Sequence, residues 1–150
     1  MTVRTRLSQR QFKHAADEAV VSLLVAAGQL GQRMNDCCRR HGVTHDQYNI
    51  LRILRGVHPE GHPRYEIAKR LISRAPDVTR LIDRLERQGL VARGWAPENR
   101  RHSIATITQQ GLDLLSAIDP EIDALQRSAV DGLTVAELEA FSRTCDYLAR

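Results

Sequence analysis

At Gly89 the hydrophobic period of the chain switches, and the switch restricts the folds open to it. Before the glycine, Val78, Leu81, Ile82 and Leu85 recur at the spacing of one face of a helix over 76–88. After it, residues 90–95 and 103–107 alternate as strands do, and the stretch between them, 96–102, is polar and turn-prone. Gly89 itself suits the position just past a helix end, where a left-handed backbone is usual. A helix therefore runs straight into a β-hairpin, and the hairpin tip carries Asn99, Arg100 and Arg101.

The other segments read as helices around that unit. Phe12, Ala16, Ala19, Leu23, Ala27, Leu30, Met34 and Cys37 line one stripe of a helix over 8–41. At 1.5 Å per residue such a helix is about 50 Å long, more than a small domain needs to cover its own core, so part of the stripe is expected to meet another chain. Thr44 and Gln47 have capping-box spacing, with Val43 and Tyr48 as the staple, and open a second helix that turns Tyr48, Leu51 and Leu54 inward. Residues 58–63, HPEGHP, read as turn material. A short third helix fits 64–71, a tight connection 72–74, and Pro76 suits the first turn of the fourth helix. Thr108 caps a fifth helix bearing Leu112, Leu115, Ile122 and Leu125, in which Pro120 is expected to cause a kink or a restart. Thr134 and Glu137 form another capping box, opening a last helix with Leu138, Phe141, Cys145 and Leu148 on one face. The expectation is one domain, mainly α with a small β-hairpin: a lobe over about 44–107 between long helices over about 8–41 and 108–149.

Aromatic residues make up only 4% of the chain, so its core is built from Leu, Ile, Val and Ala, which favours helix packed on helix. No apolar run approaches the roughly 18 residues of a membrane span, and the basic N-terminus lacks the apolar stretch of a signal peptide. A cytoplasmic location is expected, with Cys37, Cys38 and Cys145 reduced there.

Charge is distributed unevenly. Residues 1–62 carry 9 basic and 5 acidic side chains, 63–108 carry 10 and 5, and 109–150 carry 3 and 8. The positive middle contains the fourth helix, whose apolar stripe faces Arg80, Asp83, Arg84 and Arg87 on the other side, with Thr79 at the flank. An amphipathic surface helix alone would look the same. What distinguishes it is the order of parts: short helix, tight turn, basic-faced helix, then a hairpin with adjacent arginines. That order fits a winged helix-turn-helix, in which the second helix enters the major groove and the wing reaches the negative minor groove. Arginine suits both positions, through bidentate contact with guanine edges and a fixed charge for phosphate.

The run DVTRLIDRLERQGLVAR (77–93), followed by PENRR (97–101) and ITQQGL (107–112), resembles the recognition-helix, wing and post-wing pattern of the MarR family of bacterial transcription regulators. The specific part of the resemblance covers about 66–115. It implies a winged helix-turn-helix homodimer interlocked through its first, fifth and sixth helices, with two lobes on successive half-sites of a pseudo-palindromic operator in double-stranded DNA. By position, Arg74, Pro76, Asp77, Thr79, Arg80 and Arg84 would be recognition-helix contacts, with Arg100 and Arg101 in the wing. The family usually has Asp where this chain has Asn99; Asn accepts a hydrogen bond but brings no charge, so the brace on the wing arginine is weaker. The resemblance also implies relief of repression by a small aromatic or anionic effector. Leu24, Met34, His45, Tyr48 and Leu51 are the candidates near such a pocket, although residues of this kind are more often plain core.

Rival readings stay open at this point. Cys37 and His41 share a helix face and have zinc-ligand character, and Arg39 and Arg40 flank a possible sensing thiol, but no further ligands are evident and buried packing is the commoner fate of such cysteines. A winged module that binds protein would have the same scaffold but no need of wing arginines. An enzyme is disfavoured: the chain has no nucleophile elbow, no phosphate-cradling glycine loop and no metalloprotease helix, and no cofactor or metal is implied.

Overall fold

The computed structural model describes residues 12–72, 77–96 and 99–150, with backbone alone at 96 and 99–102. Its centre is helix α2 (His45–Arg55), entered through the expected capping box: Thr44 Oγ1 accepts from the Gln47 amide and Gln47 Oε1 accepts from the Thr44 amide. Ile50, Leu51 and Leu54 are fully buried, and Val43 and Tyr48 nearly so, as the staple requires. Helix α1 (Ala15–Arg40) precedes it and helix α3 (Arg64–Arg70), helix α4 (Val78–Arg87), helix α5 (Gln109–Ala129) and helix α6 (Val135–Leu148) follow. Helices α1, α3, α4 and α5 all pack on α2.

Glycines with positive φ end α1 and α4. Gly42 (φ 82) and Gly89 (φ 72) sit one residue past the C-caps His41 and Gln88, where a side chain would strain the backbone. At Gly89 the closure is a Schellman motif: the Leu90 amide donates to the Leu85 carbonyl at 3.0 Å and the Gly89 amide to the Glu86 carbonyl at 2.9 Å. Buried Leu85 and Leu90 supply the accompanying apolar contact. The chain then enters β2 (Val91–Ala96) and returns as β3 (Asn99–Ile107), paired antiparallel from Val91 opposite Ile107 to Trp95 opposite Ser103, with an irregularity before Ala96 opposite Asn99.

Four expectations are corrected. Residues 58–63 are not turn alone: His62–Pro63 forms β1, pairing antiparallel with Ala105 and Ile104, so the hairpin becomes a sheet of order β1-β3-β2. Two residues are too few for a periodic signal, and a proline is tolerated because this strand is an edge. The strands also extend beyond 90–95 and 103–107, and Asn99, Arg100 and Arg101 lie in β3 instead of a loop, because ladder hydrogen bonds carry pairing past the apolar residues that signal it. Helix α1 starts at Ala15, leaving Phe12 outside it, where the carboxylates of Asp17 and Glu18 favour a first turn. Finally, there is no restart at Pro120: α5 runs through it as one helix. Leu115 and Ile118 before the proline and Ile122 after it are all buried, and that burial outweighs the missing amide.

The ends of the molecule are less covered. No residue of α6 is buried, and Val135, Phe141, Tyr147 and Leu148 are exposed; so are Val20 and Leu24 on α1. No helix of the described residues is long and apolar enough to cross a membrane.

Gly61 enables the third strand. A Cβ there would collide with the Ala105 carbonyl and lie 2.7 Å from Thr106 Cγ2. Gly61→Ala should therefore cost about 1–3 kcal/mol, as overpacking does, measured as a lower midpoint in chemical denaturation.

Candidate nucleic-acid interface

Helix α4 separates its two jobs by angle. Val78, Ile82 and Leu85 are buried, while Thr79, Arg80, Arg84 and Arg87 are exposed on the other side. Asp77 is the N-cap: its Oδ1 accepts from the Arg80 amide at 3.3 Å and its Oδ2 pairs with Arg80 Nε at 3.3 Å. One carboxylate thus starts the helix and steers the first arginine of its outer face. Thr79 borders a cleft of about 320 Å³ together with Arg64 and Tyr65 of α3 and Arg93 of β2, so the wing, α3 and α4 meet there.

Arg93 is a residue that sequence reasoning missed. Its guanidinium bonds Asp83 and lies 3.5 Å from Glu86, fastening the wing to the recognition helix. The ten-residue separation of Arg93 from Asp83 leaves no local signal; only the register of β2 against α4 brings them together. Of the other expected contacts, Arg74 and Pro76 lie outside the described residues. For Asn99, Arg100 and Arg101 the structure describes the backbone, in β3, and their side chains lie outside it.

The pocket candidates are dispersed. Leu51 is fully buried and Tyr48 almost so, and both belong to the core. Tyr48 donates its hydroxyl to Asp119 Oδ1 at 2.7 Å, and Arg55 donates to Asp119 Oδ2 at 2.5 Å. Burial, reinforced by that bond to Asp119, raises the Tyr48 pKa, so the phenol stays a donor. His45 is half-buried beside Tyr48, its amide donating to Asn35 Oδ1 at 3.1 Å, and burial lowers its ring pKa. Met34 packs partly buried against the core, whereas Leu24 is 66% exposed.

Two residues beyond Asp119, Glu121 makes the matching link to α1. It accepts from Arg40 at 2.6 Å, lies 2.7 Å from His41 Nε2, and accepts from Cys37 Sγ at 3.6 Å. Arg40 and His41 hold its pKa down at about 2. Cys37 is pushed up by burial and by its bond to Glu121, and burial raises Cys38 to about 11. Both thiols are therefore held protonated, contrary to what a reactive thiolate needs. Among the described residues no three His, Cys, Asp or Glu side chains are grouped to hold a metal ion.

A basic-faced helix set beside a wing on an otherwise helical scaffold defines a winged helix-turn-helix transcription regulator. The MarR family model matches residues 43–103. A MarR transcription factor from Planctomyces limnophilus is 34% identical, with 91% of this chain and 99% of that one covered and a TM-score of 0.69. A MarR family regulator from Streptomyces coelicolor, solved in complex with DNA, is 26% identical over 93% of this chain and 90% of its own, with a TM-score of 0.81. The homoprotocatechuate degradative operon repressor of Escherichia coli is 24% identical over 123 residues, 82% of each chain. The chain belongs to the MarR family, a family of transcription regulators and not of enzymes.

The Asp119 and Glu121 links have a pH signature. Burial alone would raise the Asp119 pKa, but the hydrogen bonds from Arg55 and Tyr48 outweigh it and lower the value, and Glu121 is lowered too. Groups whose folded pKa is depressed contribute stability above the unfolded carboxylate range, about 4, and lose it as pH falls through the folded values. Stability to denaturant should accordingly fall from about pH 4 down to about 2, and the fall should be shallower in Asp119→Asn and Glu121→Gln, both weaker at pH 7.

Proposed function

We propose that the protein is a homodimeric repressor that binds a pseudo-palindromic operator. In this reading α4 lies in the major groove, with Arg74, Pro76, Asp77, Thr79, Arg80 and Arg84 at its base and phosphate contacts, and the wing brings Asn99, Arg100 and Arg101 to the minor groove. The observation that carries it is the outer face of α4: Arg80 and Arg84 are exposed one turn apart while the opposite stripe is buried and Arg93 fixes the wing beside them. The DNA complex of the Streptomyces relative supports the same use of the fold.

The dimer is supported by the apolar residues a single chain leaves exposed. Val135, Phe141 and Leu148 on α6 and Leu24 on α1 occupy the helices that the family pattern assigns to the partner. A cleft along Leu30 of α1 and Ala129 at the end of α5 lies in the same region. Work on operator DNA puts the protein in the cytoplasm. Relief by a small aromatic or anionic effector completes the reading, with exposed Leu24 and half-buried Met34 and His45 as its candidate contacts, while Tyr48 and Leu51 serve the core.

The test is selection of bound duplexes from a random pool by the purified protein. The expected product is an inverted repeat whose half-sites lie about 10 base pairs apart, centre to centre; recovery of no common sequence defeats the proposal. Arg101→Ala should weaken binding to the selected duplex by about tenfold or more with the dimer intact, measured by anisotropy titration, as expected for loss from each protomer of a charged groove contact of about 1–3 kcal/mol. Leu30→Asp should dissociate or unfold the protein, seen in sedimentation, because the interface would bury an unpaired carboxylate.

A further inference from the structure

The flank of α4 that faces the wing is electrically settled, since Asp83 and Glu86 both engage Arg93. The other flank is not. There Arg84, Arg87 and Gln88 look across a cleft of about 510 Å³ toward Arg39 at the end of α1 and Thr44 and Gln47 at the start of α2. Three of the lining residues are arginines and none is acidic. Among the described residues neither Arg39 nor Arg84 makes an ion pair, and Arg87 donates from Nε to the Asp83 carbonyl of its own helix at 3.3 Å. Several other arginines are paired: Arg40 with Glu121, Arg55 with Asp119, Arg70 with Glu66, Arg143 with Glu139.

Gathered like charges repel one another, and a concave wall concentrates their field, so such a site favours uptake of an anion. The walls are held together: Gln88 Nε2 donates to the Gly42 carbonyl at 3.0 Å, tying the end of α4 to the turn between α1 and α2. The direction of the cleft identifies the anion. Arg80, Arg84 and Arg87 stand at i, i+4 and i+7 on one outer stripe of α4, so the cleft prolongs the surface assigned to the major groove. An occupant that follows that stripe and offers oxyanions along it is the DNA backbone, whose phosphates match the planar fork of arginine.

We propose that Arg39, Arg84 and Arg87 form a phosphodiester-binding cleft for the backbone flanking the major groove, which makes the end of α1 a DNA contact in its own right. The proposal rests on the regulator reading above. It adds Arg39, which belongs to no recognition element, and Arg87, and it couples the long first helix to the operator through a charge and not only through packing.

The experiment is a salt titration of the full-length protein on the selected operator and on a random duplex, from 50 to 200 mM salt, with wild type, Arg39→Ala, Arg87→Ala, Arg39→Lys and Arg52→Ala, an exposed arginine of α2 outside the cleft. Each alanine variant in the cleft removes one phosphate contact from each protomer of the dimer, so it should lower the slope of log K against log salt by about 2 and weaken both duplexes alike, by about 60-fold at 0.1 M salt, while Arg39→Lys and Arg52→Ala keep the wild-type slope. Unchanged far-ultraviolet dichroism and sedimentation establish that Arg39→Ala is folded. If wild type binds but Arg39→Ala keeps the full slope, this inference is overturned and the regulator reading stands. If wild type binds neither duplex at any salt, the regulator reading fails and takes the inference with it. Inhibition of wild type by millimolar inorganic phosphate that vanishes in Arg39→Ala, with the DNA slope unchanged, assigns the cleft to a free anion and overturns the proposal.

Discussion

The burial of α2 is the constraint on which the other elements depend. Ile50, Leu51 and Leu54 have no exposed surface, yet the helix has only 11 residues, so it must be covered on nearly every side. Helices α1, α3, α4 and α5 and strand β3 do the covering, and each is placed by the face of α2 it meets. Burying three such side chains contributes on the order of 5–9 kcal/mol before entropy is counted. Two polar residues, Gln47 and Asn49, are buried with them, and the Gln47 amide group is used in the capping box. The winged lobe is therefore an arrangement around one short helix, and α4 presents its arginines outward because its apolar stripe has only that place to go.

Charge then refines what burial has placed. On α5, Asp119 reaches α2 and Glu121 reaches α1, so two carboxylates on either side of Pro120 tie the long C-terminal helix to both of its neighbours. Leu115, Ile118 and Ile122 keep α5 continuous through the proline, so a single helix carries both carboxylates. On α4 the carboxylates are divided: Asp77 steers Arg80, Asp83 and Glu86 hold Arg93, and the flank toward Arg39 has none. The flank toward Arg39 is thus left free for phosphate, whereas Arg80 must give up Asp77 before it can take one.

The two ends of the chain follow a different logic. Helix α6 has a full capping box and fourteen residues but buries none of them. Its helical form comes from local hydrogen bonds, and its apolar face is left exposed within one chain, as is the apolar part of α1 near Val20 and Leu24. A lobe with a finished core is thus joined to helices with unfinished ones, the division expected where one part of a molecule recognises DNA and another finds its partner.

Local periodicity and capping chemistry were legible from residues alone. The Thr44–Gln47 and Thr134–Glu137 boxes, the positive φ at Gly89, the α4 stripe and the switch into β2 each depend on side chains within a few positions of one another. Hence the class of fold and the outward set of Arg80, Arg84 and Arg87 were available before any coordinates. The rest depended on neighbours distant in sequence. Strand β1 is two residues long and exists because Gly61 lets it approach β3; Arg93 acquires its role from Asp83 across a strand-to-helix contact; Asp119 and Glu121 look like solvent residues beside a helix breaker until Tyr48, Arg55, Arg40 and His41 come within hydrogen-bond reach. A sequence encodes periods and caps over a turn of helix or a pair of strand residues, whereas ion pairs, edge strands and clefts arise only when the core brings separate segments together.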